Sequence, residues 1–138
     1  MKLEIKPIPI EQEPKRENRF YVEFPSQFKI PSYTVQTCMR PKLVDYVWQD
    51  FIITFLDIIN PSTSDGVKNM IDYCQEHENE ETLFKFQIKQ LDPIGTTINT
   101  WTISVKELVE VDFGACNYDN SDISMIKVVL KPSYCMLS

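Results

Sequence analysis

The sequence predicts a mainly β domain of the α+β class: about six or seven strands forming a β-sandwich or partly open barrel, with one helix on its flank. Three observations carry this. Apolar and polar residues alternate with a period of two through the last third of the chain, at residues 83–91, 98–113 and 123–131. A near-continuous apolar and β-branched run occupies residues 51–56. One segment, Val67, Met70, Ile71 and Cys74, repeats its apolar positions at helical spacing.

Taken in order, residues 1–17 mix charges evenly and carry Pro7, Pro9 and Pro14, which reads as an extended arm. Residues 18–138 then form one domain, because 138 residues supply one sizeable core and not two. Phe20, Val22 and Phe24 alternate with Tyr21 and Glu23 in a first strand over 19–24, ended by Pro25. A second strand covers 33–39 and is broken by Arg40-Pro41, which opens a connection over 40–47. Residues 48–57 form a strong strand, and the run from Phe51 to Leu56 predicts burial on both faces. Ser62, Thr63, Ser64 and Asp65 start a helix of about three turns whose stripe packs on the sheet.

The closing half is a hairpin program. Phe84, Phe86 and Ile88 oppose Lys85, Gln87 and Lys89, giving a strand with one wet face. Asp92-Pro93-Ile94-Gly95 supplies the turn. Trp101, Ile103 and Val105 continue the alternation, and Val109, Val111 and Phe113 keep the same parity. A face that long predicts a bend or bulge near residues 106–108. Ile126, Val128 and Leu130 close the sheet, and Pro132 is expected to stop it.

Chemistry is sparse in this pattern. Gly66, Gly95 and Gly114 are too far apart for a phosphate-cradling loop. Cys38, Cys74, Cys116 and Cys135 have no C-x-x-C pairing and one histidine, His77, to assist them, so they read as buried, reduced thiols rather than metal ligands. Asn60 precedes Pro61, which removes the one apparent glycosylation site. Asp112-Phe113-Gly114 lacks any kinase context, and residues 119–122 lack the glycine and distal glutamate of a calcium loop. No catalytic, cofactor-binding or metal-binding residue is assigned, and no enzyme activity is expected. No segment approaches the roughly 20 apolar residues of a membrane span, so a soluble, non-exported protein without a membrane partner is expected. A net charge of −6, with scattered basic residues and an acidic run at 76–81, argues against a conventional nucleic-acid binder.

Several motifs resemble contractile-phage tail-tube proteins. Residues 19–24 resemble the first strand of that family, and Trp48 to Asp57 its W-x-D-x-x-x-T-x-x-D strand. Leu91-Asp92…Gly95…Trp101 is similar to its L-D-x-x-G-x-x-x-x-x-W hairpin. Val111-Asp112-Phe113-Gly114…Tyr118-Asp119 is similar to its closing V-D-F-G-x-L-D-Y segment. The resemblance spans residues 18–130. It implies a tail-tube-like β-domain that self-associates into stacked homohexameric rings, as also in type VI secretion tubes. It further implies tail sheath and baseplate or neck proteins as partners, and a lumen through which DNA passes without specific binding. The implied location is the virion tail, with assembly in the host cytoplasm. The arm at 1–17 and the connection at 40–47 are the segments expected to touch adjacent rings, and an apolar second face at 51–56 would find its cover there. A baseplate tube-initiator, a tail-completion protein and a stand-alone β-domain that binds a ligand are the alternatives.

Overall fold

The computed structural model describes residues 15–138, so the predicted arm lies outside the described residues except for its last three positions. The elements are β1 (Phe20–Glu23), β2 (Val35–Cys38), β3 (Leu43–Val44), β4 (Val47–Trp48), β5 (Phe51–Leu56), α1 (Thr63–Glu76), β6 (Phe84–Leu91), β7 (Thr97–Asp112) and β8 (Met125–Leu137). Six strands form one antiparallel sheet in the order β1-β6-β7-β8-β5-β2. The sheet curls until its edge strands meet where the 3-10 turn Ser32–Thr34 leads into β2. A partly open barrel, rather than a sandwich, is therefore the form this sheet takes.

Alternation fills the barrel. Val22, Phe51, Ile53, Phe55, Phe86, Ile88, Ile103, Val105, Ile126, Val128 and Leu130 are at most 2% exposed, each burial favouring the fold by about 1.5–3 kcal/mol. Phe86 sits at the centre of an aromatic cluster, 5.4 Å from Phe24 and 6.0 Å from Phe51 between ring centroids. One end is closed by α1. Ser62 caps the helix by accepting from the Asp65 N–H at 3.2 Å. The buried Thr63 hydroxyl donates to the Leu56 carbonyl at 2.8 Å and accepts from the Ile58 N–H at 2.9 Å, fastening the helix to the end of β5. Val67, Met70 and Cys74 face inward as the stripe requires. Gly66 is needed for close approach, since a Cβ there would lie 2.8 Å from Ile30 Cγ1.

Five expectations need correction. β8 does not stop at Pro132 but runs to Leu137. Pro132 faces Val105 between two register shifts, and at such an irregularity a missing N–H costs the ladder little. The expected bulge is present in β7, at Ser104–Glu107, and it inverts the parity, which a further register shift at Leu108–Glu110 then restores. Leu108 therefore packs on the core and Val109 is 47% exposed, Val111 returns to the core, and Phe113, past the end of the strand, is 43% exposed. The connection at 40–47 is not plain loop: it holds β3 and the start of β4, a second small sheet. β5 is buried on one face only within the chain, and Ile52 on the other is 39% exposed. Of the four thiols, Cys74 and Cys135 are buried, Cys38 is half-buried and Cys116 is exposed.

Candidate assembly surface

Residues with chemical potential are held in structural roles. His77 Nδ1 donates to the Tyr73 carbonyl at 2.8 Å, and its ring stacks on Tyr73 at 4.1 Å, closing the last turn of α1. Asp112 accepts from the Gly114 N–H at 2.8 Å, and Asn117 and Asn120 accept from the N–H groups of Asp119 and Asp122, each a local turn. Burial pushes the Cys38 thiol up to about 12 and those of Cys74 and Cys135 to about 11, so all three stay protonated and unreactive at neutral pH. Among the described residues no group of three or more His, Cys, Asp or Glu could hold a metal ion. No helix among them is long and apolar enough to cross a membrane.

The chain instead presents edges and apolar projections. The β3–β4 hairpin turns through Asp45 and Tyr46, both left-handed at φ 51° and 62°. This is the geometry of a two-residue hairpin turn normally built with Asn or Asp and Gly. A bulky side chain held there costs about 1–2 kcal/mol, yet Tyr46 is 96% exposed and gains no packing in return. Leu43, Val44 and Val47 beside it are exposed as well. Trp48 roots the hairpin by packing edge-on against Trp101, with centroids 6.4 Å apart.

The second projection is the end of β8. Residues 125–130 lie between β5 and β7, whereas from Pro132 onward the strand pairs with β7 alone. Tyr134, Met136 and Leu137 are at least half exposed, and β4 lies beside this free edge.

The third feature is the seam. β1 and β2 diverge from their meeting point toward Phe20 and Cys38, opening a groove of about 630 Å³. Its apolar floor includes Phe20, Cys38 and Ile88, and Lys15, Arg16 and Arg40 stand at its rim. Gln90 lines it too, only 6% exposed, with its Oε1 lacking any hydrogen-bond partner. At the far end of the barrel, residues 113–124 form an exposed loop without regular structure, from which Tyr118 projects fully into solvent.

Of the two segments expected to touch neighbours, the hairpin is thus an apolar projection at the barrel rim, and the arm at 1–14 is outside the described residues. The seam and the free edge of β8 were missed. Tyr134 and Met136 alternating with Cys135 carried a strand signal that the proline masked. The seam had no local signal, because β1 and β2 come to face each other only once β6, β7, β8 and β5 have curled the sheet between them.

Neither a protein-family model nor a curated relative matches the sequence. Solved structures do match. A chain of the sheath–tube complex of the PVC extracellular contractile injection system in its extended state superposes with TM-score 0.59 at 12% identity, over 91% of each chain. A chain of the sheath/tube terminator of the same system gives 0.56 at 12% identity, over 97% of this chain and 98% of the other. A chain of the anti-feeding prophage tube-terminating cap gives 0.59 at 12% identity, over 96% and 95%. At this identity the likeness is one of fold, and it extends across nearly the whole chain in both directions. The fold is the contractile tail-tube-like fold that the sequence motifs resemble.

Proposed function

We propose that this chain is a structural component of a contractile injection particle, a tube-type subunit that associates with copies of itself into stacked rings. The observation that carries the reading is the matching fold over 91% or more of both chains. The surface supports it. A partly open barrel with free edges and exposed apolar projections is poorly finished as a lone monomer, and closing strands from several copies into one larger barrel covers those edges. Residues 18–138 act as the assembling domain, residues 1–17 and the β3–β4 hairpin as its contacts, and sheath and baseplate or neck proteins as outer partners.

Six copies per ring and a conduit for a genome or other cargo extend this reading. A net charge of −6 suits a lumen past which a polyanion must slide, and a basic channel wall in a structure of the assembly would overturn that point. A second reading is supported by the terminator and cap assemblies among the matching structures: a unit that ends a tube instead of extending it.

Negative-stain electron microscopy of the purified chain across a concentration series tests the proposal. Hollow tubes or stacked rings are expected. Monomers that add only to the ends of pre-formed tubes would point to the terminating unit, and monomers without affinity for tubes would overturn both readings.

A further inference from the structure

Resting on the self-assembly reading, we propose that the seam groove between β1 and β2 is a socket for the acidic loop 113–124 of a second copy, with Tyr118 as its anchor. The socket is open among the described residues. Its floor is apolar at Phe20, Cys38 and Ile88, and three basic residues, Lys15, Arg16 and Arg40, outnumber the one acidic residue, Glu17, in its lining. The buried Gln90 Oε1, unpartnered, calls for a donor from outside the described residues.

The loop is complementary on each count. Between Lys106 and Lys127 the chain carries Glu107, Glu110, Asp112, Asp119 and Asp122 and no basic residue. Tyr118 is fully exposed at its tip, an apolar ring ending in a hydroxyl that can donate to Gln90. Asx turns at Asn117 and Asn120 shape the backbone on either side of it, which lowers the ordering cost of docking.

Placement sets the symmetry of the contact. The groove lies by Gln90, which pairs with Phe20 and Asn99, while the loop leaves β7 at Asp112. Roughly 40 Å of strand separates Asn99 from Asp112. A copy cannot fill its own socket, and exchange about a two-fold axis would require two copies lying side by side and antiparallel. In stacked rings, where all copies share one orientation, the contact is heterologous and repeats head to tail, the kind that propagates.

Two charge-reversed chains test this, one with Arg16→Glu and Arg40→Glu in the socket and one with Asp119→Lys and Asp122→Lys in the loop. Each alone is expected to assemble only at concentrations roughly tenfold higher than the wild-type chain at low salt, with a smaller penalty at high salt. Mixed in equal amounts they are expected to regain wild-type assembly as alternating copies, which excludes misfolding as the cause. Sedimentation velocity and electron microscopy read both outcomes. Tyr118→Ala is expected to weaken assembly to a similar degree at all salt concentrations. Wild-type assembly unaffected by either reversal would overturn the socket alone, as it would if the groove were filled by the chain's own leading segment or by another protein. A wild-type chain monomeric under every condition would overturn the assembly reading with it.

Discussion

The two halves of β8 belong to one continuous strand but live in different surroundings. Residues 125–130 have ladder partners on both sides, and Ile126, Val128 and Leu130 are fully buried. Beyond Pro132 the strand has β7 on one side only, and Tyr134, Met136 and Leu137 are half exposed. Both halves are rich in apolar residues, so hydrophobicity does not separate them; the number of paired edges does. An apolar strand segment with one open edge in a small barrel is a surface still to be covered.

The sharpest way to break this comparison is to truncate one side chain in each half. Leu130→Ala removes a side chain packed inside the barrel, facing Phe51 and Leu108 across its two ladders. It is expected to cost about 3 kcal/mol in chemical denaturation, the range for leucine truncation in a rigid core. An equal loss from Tyr134→Ala in the isolated chain would show that the outer half is core as well.

Alkaline pH probes the one buried group in the outer half. The Cys135 thiol is raised from 9.0 to about 11 by burial, which opposes the thiolate. In the unfolded chain it ionises near the ordinary value, so its contribution is intact below pH 9 and is lost as pH rises from 9 through about 11. The decline attributable to this thiol is at most about 1.4 kcal/mol per pH unit. Cys135→Ala should flatten the stability curve above pH 9 relative to the parent, and a curve of unchanged slope would refute the burial. Exposed Cys116 should meanwhile react with a thiol-specific reagent in the native protein at neutral pH, well before Cys135.

The hairpin beside this edge sharpens the comparison from the other direction. Tyr46→Gly relieves a left-handed side chain and is expected to raise the stability of the isolated chain by about 1 kcal/mol. It also removes the most exposed aromatic of the hairpin, so assembly should weaken. A variant both more stable and equally competent to assemble would leave the exposed tyrosine without a role.

How much of this was legible in the sequence follows the same division. The six strands of the main sheet, the helix with its Ser62 cap and the Asp92–Gly95 turn were readable because alternation, capping and turn chemistry are local. The inversion at Val109 was not, since the register shifts that bound it, at Ser104–Glu107 and Leu108–Glu110, show only in the pairing with β8. Pro132 misled because its missing N–H matters only where a partner expects it, and Val105 sits at a register shift. The both-face reading of β5 took Ile52 as covered, and no cover for it is found among the described residues. Each miss falls where an element's surroundings are set by a distant strand or lie beyond the described residues.

The smallest expected effect on the fold is therefore the most discriminating. Tyr134 points away from the barrel opposite Ser104 and is 58% exposed, so Tyr134→Ala should change the stability of the isolated chain by no more than about 0.5 kcal/mol. If the free edge of β8 is an assembly contact, the same substitution removes an aromatic from the interface, where truncations commonly cost 1–2 kcal/mol or more. Monomer stability and the concentration for assembly would then come apart, the first unchanged and the second raised roughly tenfold. A substitution silent in both measurements would assign that half of β8 to solvent and leave the hairpin and the seam as the surfaces that join copies.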